Sequence, residues 1–344
     1  MTITKDYQVR RIIAVLGEGG APASFIAEGR LLVTEKPGKL RLRKSDGSVQ
    51  NVALPFTVDY GGQGGIGDVI AAPDFASSGR IYLSWVEAGP ADTRGAAVGT
   101  GKLVLGESTP RLESFEVIWR QTPKVTGRGH FSHRLVVSPD RKYLYIASGE
   151  RQKMQPAQDP ASDLGKVIRL PIDAAGKPSG PAERISMGHR NILGLQFAPD
   201  GRLWDLEHGP AGGDELNLVK PGANYGWPVV SEGRHYDGAF IPHHATRPEF
   251  TAPAFYWNPV IAPGDFIFYS GRMWPEWKGQ ALIAALGSEG LSITDATGRD
   301  NPAKLRTRQA ITVLSAQAFK AWVHAVAAAQ SAQLCYQFLV TRAI

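Results

Sequence analysis

The side chains able to do chemistry concentrate in three stretches. The densest is MGHRNILGLQFAPDGRLWDLEHGPAGGDELNLVKPGANYGWPVV, Met187 to Val230. Within it Arg190 and Asn191 precede an apolar strand, at a loop position from which side chains can project into a channel. Glu207-His208-Gly209-Pro210 ends the next strand, and Gly212-Gly213-Asp214-Glu215 sets carboxylates beside flexible backbone. Carboxylate and carbonyl oxygens together are the donors a hard cation such as calcium prefers, although the acidic spacing of an EF-hand is missing. A polar hairpin loop accounts for Gly209 to Glu215 too, and the residues alone leave both readings open.

The second stretch is RGHFSHRL, Arg128 to Leu135, just before a Pro-Asp turn at 139. His130 follows a glycine and leads into a strand. Histidine is the side chain best suited to act as a base near neutral pH, while a hydrogen-bonded structural histidine remains the alternative. His130 and His133 find no third and fourth partner at zinc spacing, which disfavours zinc. The third stretch, GGQGGIGDV from Gly61 to Val69, matches no phosphate loop followed by a helix. Glycine-rich backbone around the single Gln63 suits close packing against a flat ligand. Tyr256 and Trp257 offer a stacking surface or core filling.

These residues need a scaffold, and a repeat supplies one. A polar turn, often Pro-Asp or Gly-Arg, followed by a short alternating strand occurs as AEGRLLVTEKPGKLRL from Ala27, APDFASSGRIYLSWVE from Ala72, SPDRKYLYIASGE from Ser138, APDGRLWDLEHG from Ala198 and, more loosely, SGRMWPEWKGQALIAAL from Ser270. Copies lie about 45 to 70 residues apart, near the length of one four-stranded blade. The expectation is an all-β protein, a β-propeller of at least five blades forming one domain. Gly 39 and Pro 24, spread along 344 residues, fit many tight turns and argue against a helical bundle. After about Asp300 the pattern changes: AITVLSAQAFKAWVHAVAAAQSAQLCYQFLV has helical spacing and no turn residue. The expected division is therefore a propeller domain over 1–304 and an atypical, helical C-terminal tail over 305–344, so that the last blade need not be complete. Gly17 to Glu28 also lacks the pattern of a first strand and turn.

Composition bounds the partners. The net charge is +6, but Lys and Arg are scattered rather than run together, which argues against nucleic acid. No window of 18 uncharged apolar residues exists, so membrane insertion is not expected. Cys335 is the single cysteine and excludes an internal disulfide. The first 20 residues show neither a full apolar core nor a small-residue cleavage site, so no signal peptide is expected in this chain.

Taken in order, GHRNILGL, EHGPAGGDELN and NYGWPVVSEG, supported by RGHFSHRL, GGQGGIGDV and LLVTEKPGKLRL, resemble one family: the soluble, calcium- and quinone-dependent aldose (glucose/sorbosone) dehydrogenases. The resemblance covers about Leu31 to Leu291. It implies a six-bladed propeller and oxidation of aldose sugars at C1 to lactones, by hydride transfer to calcium-bound pyrroloquinoline quinone (PQQ). By matching motifs it implies that His130 is the general base and that Glu150 orients it. Gln63, Arg190 and Asn191 are implied as quinone contacts, Gly209 and Pro210 as carbonyl ligands of the cofactor's Ca2+, and Glu215 and Tyr225 as ligands of a second calcium. A fixed cation such as Arg190 suits a tricarboxylate that gains electrons. The family also implies an external electron acceptor, a periplasmic or secreted location, and a monomer or homodimer.

Two departures stand out. The family's last blade carries Arg-x-Arg-Asp before a Pro-Asp-Gly strand, whereas here Arg306-Thr307-Arg308 runs into Gln309 and the Ala-rich segment, so Arg306 and Arg308 are not assigned to the cofactor. The first blade lacks the family's Pro-Trp before its first turn. Two other readings follow: a calcium-dependent propeller sugar lactonase, and a degenerate, non-catalytic sugar-binding propeller. The lactonase needs a channel metal held mainly by carboxylates, which GPAGGDE does not obviously provide.

Overall fold

The computed structural model describes residues 9–13, 30–106, 109–269, 278–285, 290–294 and 307–310. Among the described residues twenty strands form five four-stranded sheets, fewer than the six blades the resemblance implies, and strands adjacent in sequence pair antiparallel. The first sheet comprises Val9–Ile13 (β1), Leu31–Glu35 (β2), Lys39–Arg43 (β3) and Val49–Val52 (β4). The second comprises Ile66–Ala71 (β5), Arg80–Ala88 (β6), Arg94–Val104 (β7) and Arg111–Arg120 (β8). The third comprises Ser132–Val137 (β9), Tyr143–Ser148 (β10), Lys166–Pro171 (β11) and Glu183–Met187 (β12). The fourth comprises Ile192–Phe197 (β13), Leu203–Glu207 (β14), Asp214–Leu218 (β15) and Phe255–Trp257 (β16). The fifth comprises Pro263–Phe268 (β17), Ala281–Ala285 (β18), Gly290–Thr294 (β19) and Thr307–Ala310 (β20).

Each of the five sequence units falls at the same place in its sheet, the lead into the second strand. The chemistry of the turn explains why. In Ala198-Pro199-Asp200-Gly201 the Asp200 carboxylate accepts the Arg202 N–H at 3.1 Å, the Gly201 N–H reaches the Ala198 carbonyl at 2.9 Å, and Gly201 adopts φ 84°. The third sheet lacks the glycine, so Arg141 takes the left-handed conformation instead, at φ 62°. Asp140 there accepts from Ser138 Oγ and from the Lys142 N–H.

The chain divides into two compact units, Met1–Pro156 with Pro160–Arg184, and Ala157–Asp159 with Ile185–Ile344. Within the first, β5 neighbours β2 and β9, and apolar layers fill the spaces between sheets. Leu32, Leu40, Leu42 and Val52 meet Ile66, Leu83 and Trp85; Tyr82, Val98 and Trp119 meet Leu135, Ile146 and Ile168. Within the second, β13 lies beside β17, and Trp204, Leu206, Leu216 and Trp257 pack on Phe266, Ala281 and Ile283. Trp257 is thus core, while Tyr256 is exposed.

The expected boundary at 304 meets a strand. Thr307–Ala310 pairs with Gly290–Thr294, from Thr307↔Thr294 to Ala310↔Leu291, so the start of the segment set apart as a tail completes the fifth sheet. The helix expected beyond it, and most of Gly17 to Glu28, lie outside the described residues. Among the described residues no helix is long and apolar enough to cross a membrane.

Candidate active site

In the first unit, His130 sits on the loop leading into β9, in the left-handed conformation at φ 46°. Its backbone N–H donates to Gln63 Oε1 at 2.8 Å, and the Gln63 N–H donates to the Arg128 carbonyl at 2.8 Å. Gln63 and His130, 67 residues apart, are therefore fastened to one another. The His130 Nδ1 shares a short hydrogen bond with Glu150 Oε1, and Glu150 Oε2 accepts the Met154 N–H at 2.6 Å. Glu150 is fully buried at the end of β10. A carboxylate only accepts hydrogen bonds, so Nδ1 carries the ring proton and Nε2 is the nitrogen that can take another. Gly149 makes this approach possible, because a Cβ there would lie 2.0 Å from the His130 carbonyl oxygen.

Arginines hold the loop beneath. Arg151 is buried 3.7 Å from the Phe131 ring centroid and donates to the carbonyls of Gly129, Arg94 and Gly127 at 2.9, 2.6 and 2.6 Å. Burial, with Arg94 nearby, lowers its pKa to about 10. Asp59 joins Arg94 at 2.7 Å and Arg128 at 2.5 Å. Burial pushes its carboxyl up, but the two guanidiniums outweigh that and hold it below the ordinary range.

His133 is built differently. It lies inside β9, is almost wholly enclosed, and places its ring where a Cβ on Gly67 would come within 2.3 Å. Position separates the two histidines, since His130 precedes the strand and His133 lies within it.

In the second unit, one crevice is lined by Arg190, Glu207, Gly209, Pro210, Glu215 and Tyr225, with Trp227 beside them. Five of the six site residues expected in this unit therefore meet in one place. Arg190 donates from Nη1 to the His208 carbonyl at 3.1 Å and from Nη2 to Tyr236 Oη at 3.3 Å. Its guanidinium carbon lies 5.1 Å from the Trp227 ring centroid and 5.9 Å from that of Tyr236. Its Nε is buried without a hydrogen-bond partner among the described residues. Asn191, the sixth, is buried next to it, and its carbonyl accepts the His208 N–H at 3.1 Å. Gly209 is required by crowding: a Cβ would lie 2.2 Å from the Gly213 carbonyl oxygen. Asp214 ties this loop down, accepting from the N–H groups of Gly209 at 2.9 Å and of Ile261 and Ala262 at 2.8 Å each.

Glu215 is buried, and burial followed by the charge of Glu207 raises its pKa well above the usual carboxylate range. The Tyr225 hydroxyl accepts the Lys220 N–H at 3.0 Å and donates to the Leu218 carbonyl, and burial pushes its pKa up. The Tyr225 carbonyl receives His244 Nε2 at 3.0 Å.

Sequence reasoning missed the group behind this crevice. His189, Asp205 and Glu207, all buried, bring potential ligand atoms within 4.8 Å of one another. Both imidazole nitrogens already have partners, Nδ1 with Glu207 Oε1 at 3.1 Å and Nε2 with Ser186 Oγ at 2.8 Å. Asn217 Nδ2 reaches Asp205, Glu207 and Glu215 at 3.2, 3.1 and 3.4 Å. The signal was present in the period of two. In LWDLE, Trp204 and Leu206 point to the core, and Asp205 and Glu207 to the other face. The register Glu207↔Glu215 and Asp205↔Asn217 brings the polar sets together.

The sequence profile of the Glucose / Sorbosone dehydrogenase family matches residues 21–320. The chain belongs to that family. It is 37% identical over 283 residues to the aldose sugar dehydrogenase YliI of Escherichia coli, covering 78% of this chain and 75% of that one. A crystal structure of a glucose dehydrogenase superposes with TM-score 0.75 at 37% identity, over 84% of this chain and 85% of the other. The PQQ-bound aldose sugar dehydrogenase of Streptomyces coelicolor superposes with TM-score 0.63 at 25% identity, over 88% and 84%. The fold is an all-β propeller, and the protein is a dehydrogenase.

Proposed function

We propose that this dehydrogenase oxidises aldose sugars at C1 to lactones, using PQQ and calcium. The observation that carries the reading is the His130–Glu150 pair, a histidine whose Nδ1 is committed to a buried carboxylate and whose Nε2 is left as the basic nitrogen. Its work is to take the proton from the C1 hydroxyl of the sugar. Glu150 fixes the ring and stabilises the imidazolium that results. Bound PQQ, polarised by its calcium, supplies the hydride acceptor.

The donor set of the second unit suits both groups. Arg190, whose buried Nε has no hydrogen-bond partner among the described residues, is a fixed cation for a polycarboxylate cofactor, and Asn191 adds a polar contact. Gln63, in the first unit, is proposed as a further quinone contact. Gly209 and Pro210 offer carbonyl oxygens to a hard cation. A second calcium at Glu215 answers the repulsion that Glu215 shares with Glu207, and Tyr225, on the same crevice, is its further ligand. The reading carries with it an external electron acceptor and a periplasmic or secreted location.

Purified protein stripped with a chelator, then given calcium and PQQ, should reduce an artificial dye with aldoses and yield lactone. Calcium with PQQ should be required together. Uptake of the quinone with no turnover on any aldose would leave a sugar-binding propeller in place of an enzyme of this type.

A further inference from the structure

Resting on the quinone reading above, we propose that Glu207 is a positioning residue whose carboxylate holds the Arg190–Asn191 turn in the form that receives the cofactor. One oxygen of Glu207, Oε2, accepts two successive backbone N–H groups, those of Arg190 at 2.6 Å and Asn191 at 3.2 Å. The other, Oε1, takes His189 Nδ1 and Asn217 Nδ2, both at 3.1 Å. Successive amides converge on a single acceptor only where the chain curls around it, so the carboxylate dictates the path of residues 189–191. The turn lies just before β13, whose pairing with β14 is irregular between Ile192 and Gly194, so ladder bonds alone do not fix it. The His208 N–H to Asn191 carbonyl bond and the Arg190 Nη1 to His208 carbonyl bond add a second clamp from the residue after Glu207. With its backbone held this way, the Arg190 guanidinium stands beside Trp227 and Tyr236. A role confined to folding explains none of this direction. Asp205, one step along the same face, shares the Asn217 amide but bonds to neither backbone amide.

The test compares Glu207→Gln and Glu207→Ala with Asp163→Asn, at a buried carboxylate outside the crevice that accepts the Thr122 N–H at 2.9 Å and pairs with Arg184, in the full chain with calcium present. Three quantities are read: the Kd for PQQ from its absorbance on titration, the melting temperature, and hydrogen exchange at the Arg190 and Asn191 amides. Supporting residues of this kind typically contribute about 10 to 100-fold. Glu207→Ala should weaken quinone binding by about that factor and speed exchange at both amides. Glu207→Gln keeps one oxygen for them and should recover part of the affinity, and it carries the test alone should the alanine variant not fold. Asp163→Asn should stay within about threefold in Kd with the 190 and 191 amides still protected, even with a similar fall in melting temperature. Affinity that follows melting temperature across all three variants, or unchanged affinity in the Glu207 pair, overturns the positioning role alone. A wild type that binds no PQQ overturns the cofactor reading, and the role with it.

Discussion

Around His130 the charge, part of it buried, is mixed and paired. Arg94 and Arg128 share Asp59, Arg151 spends its donors on three carbonyls, and Glu150 meets one imidazole and one amide. On the polar face of β14 and β15 the balance is negative: Asp205, Glu207 and Glu215 converge on the amide of Asn217, and Asp205 Oδ2 has no hydrogen-bond partner among the described residues. Burial first, then Glu207 and Glu215, raises the pKa of Asp205 well above its usual range. Buried charges are tolerated when paired and costly when not. The carboxylates of the first region each meet a cationic or N–H partner, whereas the second gathers three carboxylates around one neutral amide, with His189 Nδ1 3.5 Å from Asp205 Oδ2. On the proposed reading the first region moves a proton and the second binds a metal.

The sharpest break between the regions is kinetic. His130→Ala should lower turnover by about 10² to 10⁴-fold while PQQ still binds, as its absorbance reports. His133→Ala, on an enclosed ring beside Gly67, should stay within about tenfold in activity. Equal losses in both variants would remove His130 from the proton transfer.

A smaller effect distinguishes the regions by metal. Calcium at 100 times its Kd stabilises by about 2.7 kcal/mol through mass action. Its addition should raise the melting temperature of the wild type and raise that of Glu215→Ala less. Equal rises in the two proteins would take Glu215 out of the metal site.

The smallest effect tests the charge pairing of the first region. Asp59→Asn should cost about 1 to 2 kcal/mol at pH 7, as expected for hydrogen bonds to charged groups. The folded carboxyl is held below its unfolded value of about 3.9, so the stabilisation is present above that value and is lost as pH falls through the folded one. Denaturant melts of both proteins should therefore converge near pH 2. A gap that persists there would assign the cost to packing instead.

How far the sequence carried can be judged from these residues. The five turn-and-strand units marked the second strand of every sheet because Pro-Asp and Gly chemistry is local. His130 and Glu150 are 20 residues apart, and their pairing was available only through the family resemblance, since no local pattern encodes a contact across β9 and β10. The acids at 205 and 207 were in plain view in an alternating strand. What hid them was register: only pairing of β14 with β15 shows that Glu215 and Asn217 share their face. The short strand Thr307–Ala310, just past the boundary drawn at 304, was hidden for a similar reason, since it is defined by its partner more than by its composition.

That last strand has a consequence for handling the protein. Gly290–Thr294 is bonded on one side to Ala281–Ala285 and on the other to Thr307–Ala310. Trimming the chain after residue 306, at the limit suggested by composition, would strip one row of backbone donors and acceptors from β19. An uncovered strand edge is a template for pairing with other chains. A shortened version made for convenience would therefore present the five-residue β19 as its outer edge in place of the four-residue β20, a longer template for self-association.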